Sequence, residues 1–331
     1  MIEGLKALLA FAAASLPAYA IAAERVIEGV YNAEDLAPLE GGRWVLASSM
    51  AGGQRPSGSI LAIDVRTGKA STLYPNADKA AAPAPPGCPG PVAADAFKPH
   101  GIALHKNRLY VVNHGGRESI EIFDVDQTKE PKLRWVGCAV FPAGGFGNGV
   151  ALTADGTLYA TNMGLPMDGS KAVSPMGGDV LSWSATQGWH TVPDSQMFGP
   201  NGLLVTPDGS KLYVAAWPAG ELVELSLTEA GTTRRTLKLP FLPDNVRWSK
   251  TGAILVAGHR TSPETVAECY MSTRAQCEIP STIAEIDPAS LTISCQRDVD
   301  LGLATVAANV GEETWVGTAR GDRISRLPAC K

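Results

Sequence analysis

Five polar residues recur at one offset within a repeated pattern. Glu34, Asn148, Asn201 and Asp244 each stand eight residues before a turn glycine (Gly42, Gly156, Gly209 and Gly252), and His100 stands eight before Arg108. Asn245 adjoins Asp244. Carboxylates and amides are hard oxygen donors. Calcium takes six to eight oxygens at about 2.3–2.6 Å, so this mixture suits it better than zinc, which favours nitrogen and sulfur. Taken singly, Asn148-Gly149 or Asn201-Gly202 would more often be a turn than a ligand. Their coincidence argues otherwise, because a structural consensus repeats one residue type, whereas these slots hold different residues united by cation binding. The sixth slot falls near Leu303, and its apolar side chain predicts a site off-centre.

Such a site forms only if equivalent residues meet around one axis. The segments 36–49, 101–113, 149–162, 202–215, 245–258 and, more loosely, 305–318 each read as an apolar run, a polar turn and a second apolar run. The turns Glu40-Gly41-Gly42, Ala154-Asp155-Gly156, Pro207-Asp208-Gly209 and Lys250-Thr251-Gly252 contain residues that accept positive φ, so these are hairpins. A third alternating strand follows each, at 59–64, 119–124, 179–183, 221–225, 282–287 and 322–327. Repeats of this kind predict an all-β fold, a six-bladed β-propeller with a central metal channel. A β-sandwich with fortuitous hairpins would leave the recurring polar slot unexplained.

His114 closes the hairpin that His100 opens, and antiparallel pairing brings the two together. Two imidazoles beside a cation form a proton-transfer device, because a neighbouring positive charge favours the neutral, basic form. The plainer alternative is a strand-end histidine holding a backbone carbonyl. His105, His190 and His259 lack the double placement and read as structural or rim residues.

No charge run or low-complexity linker divides the 331 residues, so residues 21–331 are expected to form one domain. Gly 35 and Pro 24 suit many turns, and 18% charged residues with a net charge of -5 leave no basic footprint for nucleic acid. Residues 1–20 read as a signal peptide. Lys6 precedes the apolar run 7–16, and Ala18-Tyr19-Ala20 or Ala20-Ile21-Ala22 offers cleavage after residue 20 or 22. A retained anchor is the alternative, although the run is short for a membrane span. Export to the periplasm or medium is the expectation. Six cysteines in an exported chain favour disulfides, although count and spacing alone do not fix connectivity. Cys269 and Cys277 bracket a short insertion and are expected to pair locally, leaving Cys88 with Cys138 and Cys295 with Cys330 as the simplest remainder. No Cys-x-x-Cys pair suggests zinc.

Pro99-His100-Gly101, Val111-Val112-Asn113-His114 and Ser119-Ile120-Glu121-Ile122-Phe123 resemble the signature of the serum paraoxonase and arylesterase family, calcium-dependent six-bladed lactonases. Glu34-Asp35-Leu36, Asn201-Gly202 and Asp244-Asn245 follow the same order. The resemblance implies a catalytic Ca2+ held by Glu34, Asn148, Asn201, Asp244 and Asn245, with His100 and His114 as the catalytic dyad. Gly149 replaces an acidic residue that in relatives helps to hold a second, structural calcium, so one ion is expected. No cysteine near the mature N-terminus can meet Cys330, which leaves Cys295 as its partner.

The segment 163–178 supplies an apolar substrate wall, with Leu165, Met167 and Met176 at its centre, and 259–280 is a second candidate wall. The expected activity is hydrolysis of a small-molecule lactone, or of an aryl or acyl ester, at a metal-polarised carbonyl with His-assisted attack by water. Sugar lactonases of the gluconolactonase and senescence-marker-protein group are the second reading, and the histidine pair and apolar loop argue against them. A non-catalytic ligand-binding propeller is the third. Oligomeric state and membrane association are not legible in the residues.

Overall fold

The computed structural model describes residues 24–76, 84–164, 177–228 and 231–330. Residues 1–23, with the expected signal segment, lie outside them, as do Leu165, Met167 and Met176. Six four-stranded antiparallel sheets form the blades, and in blades I to V each strand pairs with the next in sequence. Their innermost strands are Ala33–Pro38, Pro99–His105, Gly147–Leu152, Pro200–Val205, Leu242–Trp248 and Ala304–Val310, in blades I to VI. Each packs on the inner strand of the next blade, and blade VI returns to blade I. The ring is closed by chain topology as well. Arg25–Glu28 is the outermost strand of blade VI, pairing with Arg323–Pro328 near the other end of the chain.

The hairpins fall where the sequence places them, with Trp44–Ser49, Arg108–Asn113, Leu158–Asn162, Lys211–Ala216, Ile254–His259 and Glu313–Thr318 as second strands. Their turn glycines take the left-handed conformation, with φ of 93° at Gly156 and 72° at Gly209. At the second of these turns the Thr206 hydroxyl and the Ser210 backbone N–H and hydroxyl donate to Asp208, drawing its carboxyl down to about 2. Inner and second strands are buried on both faces between blades, which is why they read as near-continuous apolar runs. Tyr74, Phe97 and Phe123 meet edge to face between blades I and II, with centroids 4.7–6.5 Å apart.

All six inner strands carry a register shift near their start: Ala33/Asp35, Pro99/Ile102, Gly147/Val150, Pro200/Leu203, Pro243/Val246 and Ala304/Val306. A bulge re-aims the side chain at the extra residue. The recurring polar residues sit in these bulges, one or two positions inside the strand start. The sixth slot is corrected by this register. It is Thr305, not Leu303, and its hydroxyl donates to the Glu34 carbonyl at 2.7 Å. Blade VI turns through a two-residue connection like that of blade II, so the count of eight runs from Glu313, the first residue of its second strand, and counting from Gly311 overshoots.

Three disulfides join Cys88 to Cys138, Cys269 to Cys277 and Cys295 to Cys330, with Cα–Cα separations of 5.5, 6.2 and 6.3 Å. They are consistent with an extracellular protein. Among the described residues no helix is long and apolar enough to cross a membrane. The insertion after blade V's second strand forms the helix Pro263–Met271, capped by Ser262, whose side chain accepts the Thr265 N–H, with Pro263 in its first turn. Its Val266 and Cys269 are buried against the channel mouth.

Candidate active site

Glycines following the slots let the inner strands crowd together. A Cβ at Gly101 would lie 2.3 Å from the Asn148 carbonyl oxygen, one at Gly149 2.7 Å from that of Asn201, and one at Gly202 2.5 Å from that of Asp244. The slot residues of blades II to V are thereby drawn onto one arc. Blade I joins it on both sides. Asn245 Nδ2 donates to Glu34 Oε1 at 2.6 Å, and His100 Nε2 lies 3.5 Å from the same oxygen.

Five oxygens at this mouth are buried without a hydrogen-bond partner: Glu34 Oε2, Asn148 Oδ1, Asn201 Oδ1, Asp244 Oδ1 and Asn245 Oδ1. An unsatisfied buried acceptor costs about 1–3 kcal/mol, so five together call for a shared positive partner. The opposite ends of two of the amides are held: Asn148 Nδ2 donates to Met163 Sδ at 3.6 Å, and Asn245 Nδ2 donates to Glu34 Oε1. Two carboxylates and three amide carbonyls fit a hard divalent cation. Among the described residues no three His, Cys, Asp or Glu side chains form a metal cluster. Burial, then repulsion from Asp35 and Asp244, pushes the Glu34 carboxyl well above the usual range. Burial does the same to Asp244.

Asp35 belongs to a deeper layer. It accepts the Ile102 N–H at 2.7 Å and pairs with Arg247, whose guanidinium also donates to the Ile102 carbonyl at 3.0 Å. The carboxylate that a second ion would need is thus engaged by an arginine.

Beside the oxygens, His100 Nδ1 and His114 Nε2 are 2.7 Å apart, and His114 Nδ1 lies 3.0 Å from Glu118 Oε2. A carboxylate only accepts, so His114 carries its proton on Nδ1 and its Nε2 accepts from His100 Nδ1–H. His100 Nε2 is then the free lone pair at the channel mouth. Burial, followed by the charges of His114 and Arg320, holds the His100 pKa well below the ordinary histidine value. Phe146 stacks on His114 at 4.6 Å and fixes its plane.

Three further residues complete the site, and sequence reading missed them all as participants. His259, read as structural or rim, is fully buried, with Nε2 3.6 Å from Asp244 Oδ2. Trp217 Nε1–H donates to its Nδ1 at 3.3 Å, so the proton sits on Nε2, facing the carboxylate. Burial pushes this imidazole down to about 4 and keeps it neutral. Glu118 could have been found from its spacing four residues after His114. Tyr270 had no signal, because a helix from an insertion delivers it. An apolar roof of Met50, Met163, Trp217, Leu242, Val266 and Leu303 covers the mouth, with Tyr270 packed against it and the Cys269–Cys277 bridge holding the helix.

The chain matches the SMP-30/Gluconolactonase/LRE-like region over residues 54–266 and belongs to that family. No curated protein matches its sequence significantly. Solved structures similar to it include a putative gluconolactonase (16% identity, 94% of this chain and 93% of that one, TM-score 0.61). A luciferin-regenerating enzyme is similar at 14% identity (93% and 96% covered, TM-score 0.60). Virginiamycin B lyase from Staphylococcus aureus is similar at 12% identity (93% and 99%, TM-score 0.53). These likenesses show a shared propeller fold. Family membership supports a lactonase-type propeller hydrolase.

Proposed function

We propose that the protein is a calcium-dependent hydrolase of lactones or of aryl and acyl esters, working at the channel mouth and exported to the periplasm or medium. The observation that carries this reading is the set of five partnerless buried oxygens, all on one arc, beside a histidine whose free nitrogen faces them. Glu34, Asn148, Asn201, Asp244 and Asn245 would hold the ion. When bound, calcium supplies positive charge to polarise the substrate carbonyl and to stabilise the oxyanion that forms on attack.

The chain's own groups do the rest. His100 Nε2 takes a proton from water, and the positive charge it gains is shared through Nδ1–H with His114 and, beyond it, with Glu118. Glu118 also holds the His114 tautomer. His259 and Trp217 orient Asp244. The roof around Met163, Trp217 and Phe146 excludes water and offers apolar surface to an acyl or aromatic group. Pairing of Asp35 with Arg247 favours one ion over two.

The family match keeps a sugar lactonase as the second reading. A panel of phenyl acetate, δ-lactones of increasing chain length and a sugar lactone separates the two, using protein that is chelated and then re-supplied with calcium. Calcium-restored turnover of phenyl acetate and alkyl δ-lactones, lost in His100→Gln and Asp244→Ala, is expected. Turnover of the sugar lactone alone would select the second reading. Bound calcium without turnover of any of them would leave a ligand-binding propeller.

A further inference from the structure

Arg320 is only 4% exposed, yet among the described residues no carboxylate pairs with it. Its Nη1 donates to the Ala319 carbonyl at 2.9 Å and reaches that of Ala51 at 3.5 Å, while its Nε is buried with no partner. Burying an unpaired charge is costly, and buried arginines ordinarily have an anion beside them. The carboxylates of the site have other neighbours: Asn245 Nδ2 donates to Glu34, His259 Nε2 faces Asp244, His114 Nδ1 faces Glu118, and Asp35 pairs with Arg247.

Its position in the fold aims it at the reaction. Arg320 follows the second strand of blade VI as His114 follows that of blade II, and these two blades flank blade I, which contributes Glu34. The guanidinium lies against Gly52, where a Cβ would come within 2.1 Å of Nη2, and its Cζ sits 4.9 Å over the Tyr270 ring. Glycine therefore makes room for it, and an aromatic face holds it flat. Tyr270 in turn is close enough to Asp244 and Glu34, and Arg320 to His100, for their charges to act on one another.

Resting on the hydrolase reading, we propose that Arg320, backed by Tyr270, is a specificity-determining residue that binds an anionic substituent of the substrate, so that the preferred lactones or esters carry a free carboxylate besides the scissile carbonyl. With Glu34 and Asp244 balancing a divalent cation, the guanidinium has no anion among the described residues, and such a substrate supplies one. A fork of N–H donors recognises a carboxylate better than an amide of the same shape.

The test compares 5-oxotetrahydrofuran-2-carboxylate with its carboxamide on the calcium-loaded full chain. Wild type is expected to show a KM about ten- to hundred-fold lower for the carboxylate, the range set by loss of a charge-assisted hydrogen bond. Arg320→Gln should bring the two KM values together, and Arg320→Lys should restore part of the difference. Calorimetric binding of glutarate, which cannot be hydrolysed, gives a readout independent of turnover. It should weaken by the same factor in Arg320→Gln, while calcium stoichiometry and near-UV circular dichroism stay those of the wild type. If no lactone is turned over but glutarate binding still depends on Arg320, the hydrolase reading fails and the anion site stands. Equal KM for acid and amide in wild type, or an Arg320→Gln defect confined to kcat and equal for both, would overturn the proposal and assign Arg320 to the oxyanion.

Discussion

Substituting alanine at Gly202 tests whether the close spacing of inner strands positions the oxygen set. A Cβ there would meet the Asp244 carbonyl oxygen at 2.5 Å, the Asn245 Cα at 2.6 Å and the Val246 nitrogen at 2.8 Å, all backbone atoms that cannot rotate aside. Ordinary contact begins near 3.4 Å, so blade V's inner strand must retreat by about 0.9 Å, taking Asp244 and Asn245 with it. Metal sites tolerate ligand displacements of about 0.2 Å. Overpacking of this size costs about 1–3 kcal/mol, and at about 2–4 °C per kcal/mol it should lower the melting temperature by several degrees. Calcium affinity should fall by at least about tenfold. Calorimetric calcium titration and thermal melts with and without a chelator measure both effects. Wild-type affinity and an unchanged melting temperature in Gly202→Ala would refute the argument that crowding of strands sets the ligand geometry.

Other residues give sharper single readouts. Glu118→Gln removes the carboxylate that fixes the His114 tautomer, and kcat should drop by at least about tenfold with calcium affinity unchanged. Trp217→Phe frees the Nδ1 of His259 and loosens its hold on Asp244, so calcium affinity should fall by about 10–100-fold in a titration of the chelated protein. Replacing both Cys269 and Cys277 with alanine opens an eight-residue separation. By chain entropy this costs about 2.5 kcal/mol, which should appear as faster proteolysis of the roof helix and a higher KM, with kcat little affected.

How much of this was legible depended on where the signal lay. Inner and second strands, buried on both faces, carry long apolar runs such as Leu109–Val112 and were readable at once. Outer strands were not. Gly231–Lys238 reads GTTRRTLK with most side chains in solvent, so nothing in its hydropathy marks a strand. The slots in blades I, III, IV and V were legible because each stands eight before a turn glycine, whereas Gly311 stands only six after Thr305 and so hid it. The histidine pair followed from antiparallel register alone. His259 did not stand out, because its role depends on Trp217, whose indole reaches it from the neighbouring blade, 42 residues away in sequence. Arg320 follows a blade VI strand and Tyr270 lies on the inserted helix, and only folding shows that one covers the other. Asp35 was noted from the sequence, but its pairing with Arg247 spans 212 residues and became visible only in the closed ring.

The most direct test of the account is δ-lactone and phenyl acetate turnover by chelated protein as calcium is added back in measured equivalents. Activity should rise from none and level off at one ion per chain, in step with calorimetric binding. Turnover that survives chelation, or calcium bound at one equivalent with no lactone or ester hydrolysed, would contradict the claim that these five oxygens and His100 form one hydrolytic centre.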